Sequence, residues 1–166
     1  MTRIAVLWDS ATPGAKTGGL KEIELAAQAV RVQVQPVEVR SPTEFESAFE
    51  GLVRRRPGAL MTLSSAMFWN HRARIVQLAA KRRLPTMFPE REFADEGGLM
   101  SYGPNVPDNF RRAATYVDKI LKGTNPADLP VQQPMRFEFI VNLNAAKQIG
   151  VTIPPNVLVR ANEVIR

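Results

Sequence analysis

The side chains that could do chemistry in this chain gather where its apolar runs end: Trp8, Asp9, Ser10, Ser64, Ser65, Phe88, Glu90, Arg91, Ser101 and Tyr102. Hydroxyls and amides at such ends can hold a carboxylate or an amide. Arg91 could grip a carboxylate with two parallel bonds, and the aromatics could stack on an apolar or cationic group. In an open α/β sheet, ligands sit outside the carboxyl ends of the strands. These residue types suit binding better than catalysis, because no nucleophile stands beside an activating base. The plainer reading of the same residues is strand-end polarity plus core aromatics, with Trp8 and Phe88 only packing.

Several other chemistries fail on residue type. The loop SATPGAKT approaches the phosphate-binding pattern GxxxxGK[ST], but Ser10 and Ala15 stand where glycines must let backbone amides wrap a phosphate. The dinucleotide fingerprint GxGxxG is missing. His71 is the only histidine. It cannot by itself build a catalytic triad or a multi-histidine metal site, so it reads as an exposed polar residue in the first turn of a helix. Asp9 lacks the neighbouring carboxylates of a phosphoacceptor site. With no cysteine in the sequence there is no disulfide, thiolate or thioester chemistry. No cofactor or metal is expected.

The chain has 166 residues and a net charge of +6. Its densest basic groups, Arg54-Arg55-Arg56 and Lys81-Arg82-Arg83, fall at expected helix ends, where cations complement the helix dipole. Aromatics do not interleave with them, so nucleic acid is not an expected partner. No stretch is long and apolar enough to span a bilayer, and with the strand-like run RIAVLWD following almost directly on Met1 no signal peptide is expected in this sequence.

The elements that must position these residues follow in order. Residues 3–9 form a continuous apolar run, as in a strand buried on both faces. A helix follows, with Leu20, Ile23, Ala26, Ala27 and Val30 at helical spacing. Residues 32–39 alternate, and Pro36 places that strand at an edge. Ser41-Pro42-Thr43-Glu44 reads as a capping box opening a helix whose stripe is Phe45, Ala48, Phe49 and Leu52. Residues 59–63 (ALMTL) make a third strand, and 68–83 a helix with Ile75, Leu78 and Ala79 inward. Residues 85–88 are a fourth strand, 92–96 a short helix, and 99–102 a fifth strand. The alternation predicts a doubly wound, Rossmann-like α/β lobe over residues 3–103, with a parallel five-stranded sheet in the order 2-1-3-4-5. From residue 104 the rhythm changes. A long helix spans about 106–122, with Phe110, Ala113, Ala114, Val117, Ile120 and Leu121 on one face. An extended connector (124–134), a strand (136–142), a helix (143–149) and an irregular tail complete the chain.

The segments RIAVLWDSATPG, VEVRSPTEFESAFE, FPEREFADEGGLMSYG, AATYVDKILKG and NPADLPVQQPMRFEFIVNLNAAKQIGVTIPPNVLVRANEVI resemble the ABC-transporter substrate-binding protein family that includes tryptophan- and tyrosine-binding members. The likeness runs from about Arg3 to Ile165. It implies a type I periplasmic-binding-protein fold, with two α/β lobes and a small solute, such as an aromatic amino acid or another carboxylate-bearing molecule, in the cleft between them. It also implies delivery to an ABC permease, and a periplasmic or lipid-anchored location. Family members are roughly twice as long, so this chain reads as the second lobe with its crossover segments (104–166). The ligand-sensing domain of a regulator, which borrows the same fold, is the alternative. Without a first lobe the long helix has no usual partner, and the expectation is a homodimer formed through residues 104–142.

Overall fold

A computed structural model describes residues 3–166. Its sheet has seven strands in the order β2-β1-β3-β4-β5-β6-β7. They are β1 (Arg3–Asp9), β2 (Gln33–Val39), β3 (Ala59–Thr62), β4 (Thr86–Phe88), β5 (Met100–Pro104), β6 (Phe137–Asn142) and β7 (Glu163–Ile165). The first five are parallel neighbours in the expected order, and β2 with Pro36 lies at the edge. The sheet does not stop at five strands. β6 pairs antiparallel with β5, Tyr102 opposite Phe139, and β7 runs parallel to β6. Unpaired backbone along β5 would be an exposed edge, and the alternating segment FEFIVN satisfies it.

Helices α1 (Lys21–Ala29), α2 (Phe45–Arg55), α3 (Ala66–Asn70), α4 (Arg72–Lys81) and α5 (Arg91–Asp95) connect these parallel strands. Alternate strand residues Leu7, Leu60 and Phe88 face α2, α4 and α5, where Phe45, Phe49, Ile75 and Phe93 complete the main core. On the opposite face Val6 and Trp8 meet Leu20 and Ile23 beside α1. Nearer β6 the chain adds α6 (Val106–Leu121), α7 (Leu143–Ile149) and α8 (Pro155–Leu158). Ala145, Ala146 and Ile149 of α7 and Val157 of α8 pack with Leu99 and Val141 in a third cluster.

Three local expectations change. The helix expected over 68–83 is broken at His71, whose φ of −110° and ψ of 20° end α3 and start α4. The His71 ring rests edge-on against Phe45 at a centroid distance of 5.7 Å. The capping box opens one residue early: Glu44 reaches back to the Arg40 N–H at 2.9 Å, while Ser41 bonds the Thr43 hydroxyl. A 3-10 turn at Pro42–Glu44 precedes α2 and shifts the geometry. Finally, α1 is only partly covered. Ala26 and Val30 are exposed, and of this helix only Ala27 is buried, while Leu20 ends a π-helical turn, Ala15–Leu20, that precedes it. The basic helix ends behave as expected, with Arg82 Nη1 donating to the Leu78 carbonyl at 3.1 Å.

Gly103 shows how tightly the ends of β4 and β5 are pressed together. A Cβ there would stand 1.8 Å from the Pro89 carbonyl oxygen. Backbone cannot yield as a flexible side chain can. Gly103→Ala is therefore expected to destabilise the fold by at least about 2 kcal/mol, measured by urea denaturation. A loss below about 0.5 kcal/mol would show that β4 and β5 need not approach so closely.

Candidate functional site

Parallel strands in this order bring the ends of β1, β3, β4 and β5 to one edge. The residues expected to line that edge divide into two groups. Trp8, Asp9, Ser65, Phe88 and Ser101 are buried. Ser10, Ser64, Glu90, Arg91 and Tyr102 keep surface.

The buried group builds the frame. Asp9 accepts from the Ala11 N–H at 2.8 Å and from the Ser65 hydroxyl at 2.6 Å. Ser65 Oγ in turn accepts from the Met67 N–H at 3.1 Å and so caps α3. One carboxylate thus ties the end of β1 to the first turn after β3. Phe88 stacks on Phe93 at 4.4 Å inside the main core and has no free face for a ligand. Trp8 packs beneath α1. Ser101, opposite Phe88 in the ladder, is sealed on the same side. For Trp8, Asp9, Phe88 and Ser101, strand alternation turns the side chain into the protein and away from the edge, whereas Ser65, the cap of α3, is held inward by its bond to Asp9.

Arg91 is spoken for as well. Its guanidinium makes the expected bidentate bond, but to Glu163 of β7, at 2.6 and 2.9 Å, and its Nε reaches Asp95 at 3.3 Å. These bonds hold the Glu163 carboxyl below its ordinary range. Arg91 therefore clips the last strand to α5 and does not present a free fork. Ser10 turns toward β2, its N–H bonded to the Val39 carbonyl at 3.3 Å.

What remains open is compact. Ser64, Glu90 and Arg91 share a small cavity with Glu92, Asn105 and Glu138. Burial raises the Glu90 carboxyl above its usual value, and the nearby Ser64 hydroxyl opposes that shift. Asn105 does two jobs: its Oδ1 caps α6 by accepting from the Asp108 N–H at 2.7 Å, and its Nδ2 holds Glu138. Tyr102 lines a neighbouring cavity that shares Ser64 and Pro89 with this one, and is exposed and stacked on Phe137 at 5.8 Å. Residue types pointed to Glu90, Ser64 and Tyr102. Glu138 was missed, since only the pairing of β6 with β5 brings it to this edge. Among the described residues no group of His, Cys, Asp and Glu could hold a metal ion.

The family model for ABC transporter substrate binding proteins matches residues 1–165. The chain belongs to this family. Among solved structures it is similar to a conserved domain protein from Vibrio cholerae O1 biovar El Tor (TM-score 0.88, 21% identity, covering 98% of this chain and 54% of that one). It is also similar to the ABC domain in complex with L-Trp from Streptococcus pneumonia (0.87, 24%, 99% and 56%). A third is a ligand-free, open substrate-binding protein with adhesive properties from Clostridium difficile (0.73, 18%, 99% and 54%). At these identities the likeness is one of fold, and the chain spans about half the length of each. A search of curated proteins returned no match. Among the described residues no helix is long and apolar enough to cross a membrane.

Glu90 yields a pH prediction. Its folded value is raised, so the native state holds a proton that the unfolded chain releases earlier. Stability from this group is present at low pH and lost as pH rises through the folded value. Glu90→Gln removes that loss. The variant is expected to melt higher than the parent at pH 7, with the difference vanishing below the ordinary carboxylate range. A gain that persists unchanged at pH 3, or no gain at pH 7, would contradict the assignment to Glu90 burial.

Proposed function

We propose that this chain is the second lobe of a solute-binding protein that serves an ABC importer outside the cytoplasm, and that Ser64, Glu90 and Tyr102 form its half of the ligand cleft. The observation that carries this is the open strand-end edge. In a family of substrate-binding proteins, these polar and aromatic side chains are left accessible at the strand ends among the described residues. The relative from Streptococcus was solved with L-Trp, which makes an aromatic amino acid the first solute to try. An amino group would suit Glu90 and Ser64, and an aromatic body would suit Tyr102. The carboxylate of such a solute would be held mainly by the first lobe, because Arg91 is already paired with Glu163. The reading asks for no chemistry beyond capture and release to a permease.

Calorimetry on a two-lobed form, titrated with L-tryptophan and a panel of amino acids, tests this. Tyr102→Ala and Glu90→Gln are each expected to weaken the tightest solute by about 1–3 kcal/mol. Unchanged affinity in both variants would remove this edge from the site.

The long helix supports the same reading. None of α6 is buried, and Phe110 and Leu121 are 72% and 81% exposed. Arg112 and Tyr116 bond only the connector, Tyr116 Oη to the Pro130 carbonyl at 2.7 Å. We propose that a first lobe covers this stripe in the two-lobed protein. The chain alone is expected to pair through residues 104–142 as a homodimer. Light scattering at micromolar concentration should give a dimer for the chain alone and a monomer for the two-lobed form. A monomeric chain with α6 still helical would overturn the pairing.

A further inference from the structure

The other edge of the sheet, at the amino ends of the parallel strands, collects positive charge. Among the described residues only three that are not glycine have a positive φ: Arg31 (55°), Arg56 (47°) and Arg83 (51°). Each follows a helix and precedes a strand, from α1 to β2, α2 to β3 and α4 to β4. Glycine fits this left-handed conformation without strain, and all three places carry an exposed arginine instead. The ladder brings these turns into line, with Arg3 opposite Gln33, Ile4 opposite Ala59 and Leu60 opposite Thr86. Arg3 itself is exposed on this edge, as are Arg54, Arg55 and Lys81 in the last turns of α2 and α4. None of these cations enters an ion pair among the described residues.

Two carboxylates come near: Glu50, one turn back on α2, and Glu96, which shares a cavity with Lys81 and Arg83 but is bonded to Arg72 at 3.2 Å. Segments 29–33, 52–60 and 79–86 carry none. Between the ends of α2 and α4 lies a cavity of about 260 Å³, where Arg56 and Arg82 stand over Leu52 and Leu84. Arg82 is held by the Leu78 carbonyl and by the Phe49 ring, whose centroid is 5.5 Å from its guanidinium. Its buried Nε has no hydrogen-bond partner among the described residues. Apolar side chains are interleaved with the charges: Val30 beside Arg31 and Val53 beside Arg54 are 69% and 55% exposed. The same segments hold no aromatic residue to stack on a base. Arginine grips phosphate oxygens with two parallel bonds, and a valine exposed between such arginines is buried when it enters the boundary between headgroups and acyl chains. We infer that this edge docks on an anionic phospholipid bilayer, its arginines on the headgroup phosphates and Val30 and Val53 at that boundary. The strand-end edge then faces away from the membrane, unobstructed. The inference does not depend on that edge holding a solute.

The test sediments the whole chain with phosphatidylcholine vesicles, with or without about 30% phosphatidylglycerol. The chain should bind the mixed vesicles and not the neutral ones, and raising salt from about 0.05 M to about 0.5 M should release it. Arg54→Gln with Arg55→Gln should weaken binding by at least about tenfold. Lys16→Gln with Arg160→Gln, the same loss of charge from exposed residues at the opposite edge, should leave it within about threefold. Val30→Ser with Val53→Ser keeps every charge and should still weaken it about fivefold. Binding to neutral vesicles, an equal loss in the two charge-removing pairs, or no loss from the valine pair would overturn the bilayer as partner. So would tighter binding to a DNA duplex in the same buffer, which would assign the edge to nucleic acid.

Discussion

The antiparallel return of β6 along β5 is the constraint on which the rest of the molecule depends. The chain leaves the sheet at Pro104 and re-enters opposite the same residue at Phe137. Asn105 closes the base of this excursion, its N–H bonded to the Arg136 carbonyl at 2.9 Å and its side chain to Glu138. Everything between is held outside the lobe. α6 therefore cannot lie back over β3–β5, as the helix after a fifth parallel strand could. One geometric decision leaves an apolar helix stripe uncovered, opens a groove on the sheet, and carries Glu138 to the strand-end edge.

Electrostatics at that edge separate structure from recognition. Asp9 spends its oxygens on Ser65, Ala11 and Thr12. Arg91 is held by two carboxylates, which at this level of exposure add little to stability but fix its direction. Glu90 is the exception. It is half-buried and has no basic partner among the ion pairs of the described residues, so its negative charge is costly.

Much of this was legible in the sequence for identifiable reasons. The unbroken apolar run of β1 and Pro36 in β2 each depend on neighbours within a few residues, and both stand where the pattern put them. Strand ends were legible too, but their facing was not. A strand as short as β4 offers no long alternation to show that Phe88 points into the core while Met87 points out. Long-range partners were invisible for a different reason. Arg91 reads as a free cation until Glu163, 72 residues away, is brought beside it by the last strand. Glu138 likewise becomes part of the edge only through its ladder with Gly103.

The central claim is that the carboxyl ends of β3, β4 and β5 form this lobe's share of a solute cleft. Hydrogen exchange on the two-lobed protein, with and without a saturating solute, tests it most directly. The account predicts that amides at Ser64, Glu90 to Arg91 and Tyr102 slow markedly on binding, while those of the opposite strand ends, such as Arg3 and Ala59, do not change. Protection that spares the first set, with the solute demonstrably bound, would contradict it.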